Sequence, residues 1–152
     1  MIEIYFRKIG RTKTKKASIR KAAQSVLDIF SRSDSLTIMV VNDQYIQELN
    51  SQYRHMDAVT DVLSFPNEEN DPMQPSYLGD IAISYPVAEK QAAVAGHPVE
   101  NEISLLIVHG VLHLLGYDHH TSEGKSEMWA LQEKALRSLG ITMTSYSGDN
   151  DG

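Results

Sequence analysis

The sequence predicts an α+β domain in which a small mixed β-sheet of three to four strands packs against four to five helices. Two observations predict it. Short β-branched runs at period two alternate with longer runs whose apolar residues recur every three or four positions. The chain is also of single-domain size, with 152 residues and 41% hydrophobic content.

Taken in order, IEIYF (Ile2–Phe6) reads as a strand by alternation. Lys15–Ser31 reads as an amphipathic helix carrying Ile19, Ala22, Ala23, Val26, Leu27 and Phe30 on one face. LTIMVV (Leu36–Val41) is a second, buried strand. Asn42 is placed to cap a helix running to about Tyr53. VLSF (Val62–Phe65) fits a short strand, and Asn67–Ser76, with two prolines and three acids, fits a loop. GDIAIS (Gly79–Ser84) is a further strand. Pro86 suits the first turn of a helix ending at Ala95. Val99–Leu115 is the most apolar helix, with Gly116 as its stop. Thr121 or Ser122 caps a last helix to about Leu139. One domain over residues 1–143 is expected, followed by a polar, disordered tail at 144–152. Strand order is not legible at this level.

Composition narrows the chemistry. Cysteine is absent, so any metal must be held by His, Asp or Glu. No apolar run reaches the ~18 residues of a membrane span. The opening MIEIYFRKIGR lacks an apolar leader and a small-residue cleavage site, so a cytoplasmic location is expected. Net charge is −6, but it is unevenly spread. Arg7, Lys8, Arg11, Lys13, Lys15, Lys16, Arg20 and Lys21 face only Glu3 within the first 21 residues, giving that segment +7 and the rest −13. A basic patch on an acidic body can meet a polyanion; a solvated helix face explains the same pattern.

The decisive stretch is HGVLHLLGYDHH, residues 109–120. His109 and His113, four apart on a helix, share a face and can converge on one ion. Gly116 lets the chain turn back, and three residues later His119 can complete a tripod. Three neutral imidazoles leave the fourth tetrahedral position open, as in catalytic rather than structural zinc sites. We therefore expect one zinc ion per chain on His109, His113 and His119. His120 has the poorer spacing, while His55 and His97 fall in turn-like segments and read as surface residues. Asp118 fits either a turn residue or an acceptor that orients a ligand imidazole. The spacing matches the metzincin motif His-Glu-x-x-His-x-x-Gly-x-x-His, except that Gly110 stands where the general-base Glu belongs. This counts against peptide hydrolysis and is compatible with phosphodiester cleavage, where a metal and a nearby cation stabilise charge.

HGVLHLLGYDH, with LNSQYRHMDAVTDVLSFP (Leu49–Pro66) and LGDIAIS (Leu78–Ser84), resembles the bacterial YbeY-type ribosomal-RNA maturation endoribonucleases over roughly residues 35–140. The resemblance implies a zinc-dependent, single-strand-specific endoribonuclease acting on ribosomal RNA and ribosomal particles, in small-subunit rRNA 3′ end maturation and ribosome quality control. By position it places the metal ligands on His109, His113 and His119 and the active-site arginine on Arg54. Val59 stands where the family usually has Pro. Arg54 also makes sense unaided, because a guanidinium is always charged and clamps phosphate bidentately. Arg54 and His109 are the expected catalytic residues. Thr60, Asp61 and Ser64 either line the same cleft or cap a turn. Two other readings stay open: a metallopeptidase with metzincin-like spacing, and a ribosome-assembly module with structural zinc.

Overall fold

A computed structural model describes residues 1–12, 14–67 and 76–142. Lys13, most of the expected Asn67–Ser76 loop and the expected tail at 144–152 lie outside the described residues. Four strands and five helices are present among the described residues: β1 (Ile2–Arg7), α1 (Lys16–Ile29), β2 (Ser35–Val41), α2 (Asp43–Arg54), β3 (Val62–Pro66), β4 (Tyr77–Ser84), α3 (Tyr85–Ala95), α4 (Val99–Leu114) and α5 (Ser122–Ser138). This is the expected α+β class, with all element ends within two residues of the sequence reading; β4 starts two residues earlier than expected.

The strand order is β1-β2-β4-β3. β1, β2 and β4 run parallel, with Ile4 beside Ile38 and Ile38 beside Ile81. β3 closes one edge antiparallel to β4, pairing Leu63 with Ala82 and Pro66 with Gly79. The mixed sheet follows from the connections: helix α1 carries the chain back so that β2 enters parallel to β1, whereas β3 leads into β4 without a helix and pairs with it antiparallel.

Alternation assigns the two faces. Leu36, Ile38, Val40, Val62, Ile81 and Ile83 point to the main core with α1, α4 and α5. Val41, Leu63 and Ala82 point the other way, under Ile46 of α2. α4 is the central helix: it touches α1, α3, α5, β3 and β4, and its residues from Glu102 to Leu112 are all buried. A helix apolar on every side needs this enclosure, which explains why its sequence reads as nearly continuous hydrophobic. Among the described residues no helix is long and apolar enough to cross a membrane.

Candidate metal centre

α4 carries His109 and His113 one turn apart near its C-terminal end. The helix stops by a full Schellman arrangement. The Gly116 N–H donates to His113 O at 3.0 Å and the Tyr117 N–H to Leu112 O at 3.0 Å, with Gly116 at φ +100°. That conformation is cheap only for glycine, so Gly116 is what reverses the chain here. Tyr117 then packs on Phe30, ring centroids 5.9 Å apart, and fixes the exit direction. His119 is thereby carried back over α4, 5.4 Å from the His109 ring and 5.5 Å from that of His113. Thr121 starts α5, its Oγ1 accepting from the Gly124 N–H at 3.0 Å.

One ring nitrogen from each of His109, His113 and His119 lies within 4.8 Å of the others, so the three could hold one metal ion. The Nε2 atoms of His109 and His113 are 3.0 Å apart. Tetrahedral ligands at ~2.0–2.1 Å from zinc stand about 3.3 Å from one another, so the donor set and spacing fit the ion. His120 lies outside this group; its ring is exposed and its backbone N–H donates to Asp118 Oδ1 at 3.2 Å. Asp118 is thus a turn residue.

The acceptor that orients His109 is Gln132 on α5, which the sequence reading missed. His109 Nδ1–H donates to Gln132 Oε1 at 2.6 Å, and both residues are fully buried. With its proton held at Nδ1, His109 presents the Nε2 lone pair to the cluster. Burial, reinforced by the neighbouring His113 and His119 and only partly opposed by the Gln132 hydrogen bond, pushes the His109 pKa down to about 3. The imidazole is therefore neutral at any physiological pH, as a metal ligand must be. Trp129, one helical turn from Gln132 on α5, walls the cluster 5.6 Å from His119 and 6.0 Å from His109. The signal in the sequence was a glutamine in register with Met128, Ala135 and Leu136, the buried face of α5.

Gly110 has a packing role beyond the missing carboxylate. An ideal Cβ there would sit 3.1 Å from Ile81 Cδ1 and Cγ2 and 3.3 Å from Ser64 Oγ. Position 110 faces the sheet, so a Glu would collide with β3 and β4. Ser64 is buried beneath this contact and its hydroxyl donates to Gly110 O over a long 3.4 Å.

Arg54 is the last residue of α2, half-buried, and its Nη2–H donates to Ser64 O at 2.9 Å. The guanidinium is thus anchored to the strand residue that α4 rests on beside His109. Thr60 is half-buried. Asp61 is buried, and its Oδ1 accepts from the Val62 N–H at 2.8 Å, so the turn reading holds for it rather than the cleft-lining one. His55 is exposed and caps α2 in a left-handed conformation. His97 departs from the surface reading: its Nε2 lies 2.7 Å from Glu102 Oε1, and Glu102 is completely buried. The reason is α4, whose apolar length conceals one carboxylate facing the α3–α4 turn.

Comparison with known proteins agrees with this geometry. The family model for endoribonuclease YbeY matches residues 5–140. The endoribonuclease YbeY of Heliobacterium modesticaldum is 47% identical over 116 residues, covering 70% of each chain. That of Pelotomaculum thermopropionicum is 42% identical over 130 residues, covering 82% of this chain and 86% of its own. Among solved structures, the solution structure of TM1509 from Thermotoga maritima matches with a TM-score of 0.61 and 26% identity, covering 92% of both chains. With a family model spanning nearly all of the described residues and relatives above 40% identity over most of their length, this chain belongs to the endoribonuclease YbeY family.

Proposed function

We propose that this protein is a zinc-dependent, single-strand-specific endoribonuclease that acts in the cytoplasm on ribosomal RNA and ribosomal particles, in small-subunit rRNA 3′ end maturation and ribosome quality control. The observation that carries the metal-dependent reading is the convergence of His109, His113 and His119, with Gln132 holding His109 in the ligating tautomer. A zinc ion bound there supplies Lewis acidity toward a phosphoryl oxygen and toward water. The chain's own groups supply the rest. Arg54, fixed by Ser64 O, keeps further guanidinium N–H groups for a phosphate and offsets charge as it develops. Trp129 and the apolar wall of α4 limit water on the His109 side. Position 110 has no room for a general-base carboxylate, which favours phosphodiester over peptide cleavage.

Metal analysis and RNA cleavage by purified protein test this reading. About one zinc per chain is expected, lost in His113→Ala and kept in His120→Ala. Arg54→Ala should keep zinc and fold but lose most cleavage of single-stranded RNA, with Lys rescuing poorly because it lacks the planar fork. Full cleavage by Arg54→Ala at saturating and subsaturating RNA removes Arg54 from the site. Zinc-free protein that still cleaves RNA removes the metal.

A further inference from the structure

Beside Arg54 stands an aromatic surface that the histidine cluster does not use. Tyr53 leaves 58% of its surface in solvent. Its ring meets Phe65 edge-on, centroids 5.4 Å apart at 66°. Phe65 is half-buried and packs on the Leu63, Val41, Ile46 and Ala82 cluster, so it is a fixed prop. A T-shaped contact covers at most one face of the Tyr53 ring, and with 58% of the residue exposed the other is open for stacking. The segment that follows extends the apolar rim with Met56, 57% exposed, and Val59, 41% exposed. It is ordered from behind: Asn50 Nδ2–H donates to Ala58 O at 2.9 Å, and the Met56 N–H donates to Asn50 O at 3.2 Å.

The alignment with Arg54 is what gives this surface a ligand. Tyr53 and Arg54 are consecutive in α2, and their anchors on β3, Phe65 and Ser64, are consecutive too. The ring and the guanidinium are therefore both held against neighbouring residues of one strand. We infer that Tyr53, propped on Phe65, is a stacking platform for an unpaired nucleobase adjoining the phosphate that Arg54 engages. This rests on the nuclease reading above and deepens it. A nucleotide offers a charged phosphate and a π-face, and only a base released from its own stack can give that face to a protein ring. In a duplex both faces of each base are covered, so the platform selects single strands by geometry rather than by sequence. Stacking of this kind tolerates any base.

The test measures equilibrium binding of a fluorescently labelled octauridylate and of an abasic strand of equal length, by anisotropy, for wild type, Tyr53→Ala, Tyr53→Phe and Tyr53→Trp. Tyr53→Ala should weaken octauridylate binding about tenfold and leave the abasic strand unchanged. Phe and Trp should retain wild-type affinity. Cleavage should show the loss of Tyr53→Ala in KM with kcat nearly kept. Equal weakening toward both strands, or no weakening, overturns the platform. If the wild type binds octauridylate but cleaves no RNA, the nuclease reading fails while the binding comparison still decides the platform. Melting curves confirm folding of each variant, which an exposed side chain should permit.

Discussion

Replacing Gln132 with Leu should separate the fold from the metal centre. Leu is close to Gln in volume, so the buried face of α5 stays filled. The hydrogen bond lost is the 2.6 Å contact to His109 Nδ1. Leaving that buried N–H without an acceptor costs about 1–3 kcal/mol. Part is offset, because Gln132 Nε2 is itself buried without a hydrogen-bond partner among the described residues and leaves with the side chain. The metal-free fold should therefore lose only about 1 kcal/mol. The metal effect is larger in kind. Without Gln132, His109 is free to carry its proton on Nε2, the nitrogen that faces His113, and that tautomer cannot ligate. Loss of such an orienting partner typically weakens metal binding 10- to 100-fold. Zinc affinity read by chelator competition, together with urea unfolding of the zinc-free protein, measures the two effects separately. A folded Gln132→Leu protein with wild-type zinc affinity would refute the reasoning, and so would a variant that loses stability but no affinity.

Three further predictions concern different parts of the molecule. Gly110→Ala should destabilise by up to about 2 kcal/mol, overpacking against Ile81 and Ser64 exceeding the roughly 1 kcal/mol of helix propensity gained, measured by urea midpoint; a neutral or stabilised variant means that Ile81 and Ser64 give way. Burial raises the Glu102 carboxyl above the ordinary carboxylate range, with the His97 hydrogen bond opposing. The folded state thus holds this proton more tightly than the unfolded one, so stability is fullest below the unfolded pKa and is lost as pH climbs through the folded value. Glu102→Gln should flatten that decline in unfolding free energy between acid and neutral pH; an unchanged slope means another group sets it. Reversing Lys13, Lys15 and Lys16 to Glu should weaken RNA binding and flatten its salt dependence while leaving zinc content intact. Ser18 of α1 meets Glu100 at the start of α4, thirteen residues and about 20 Å before His113, so the charge reversal should change docking and leave the chemistry untouched. Equal salt slopes for the two proteins would make it a solvated helix face.

The sequence announced most of the fold because its local signals agreed with the tertiary outcome. Asn42, Thr121 and Gly116 sit at helix ends in the structure as their side chains or backbone freedom require. The histidine spacing was legible for the same reason: one helix turn and one glycine stop determine where three side chains go. What local pattern could not supply is contact between distant segments. Strand order is set by which faces bury together, so β4 lies between β2 and β3 without any local mark. Gln132 is 23 residues from His109, and a lone glutamine on an amphipathic helix carries no sign of its partner. Glu102 carries no local mark either: it is one of two acids in the first turn of α4, and its burial follows only from the helix being enclosed on all sides.

The close seat of α4 on the sheet has a bearing on how substrate is received. From the Arg54 guanidinium to His109 the path runs through Ser64 and Gly110, across a strand, a helix and the contact between them. The 3.4 Å hydroxyl contact is weak, but α4 lies so close to the sheet at Gly110 that an added Cβ would crowd Ile81. No loop lies on that path, so the structure holds the Arg54 guanidinium and the histidine cluster at a set distance. Recognition then becomes a matter of the strand adapting to the protein. A flexible chain gives up its freedom on docking, whereas the enzyme enters already in its working shape.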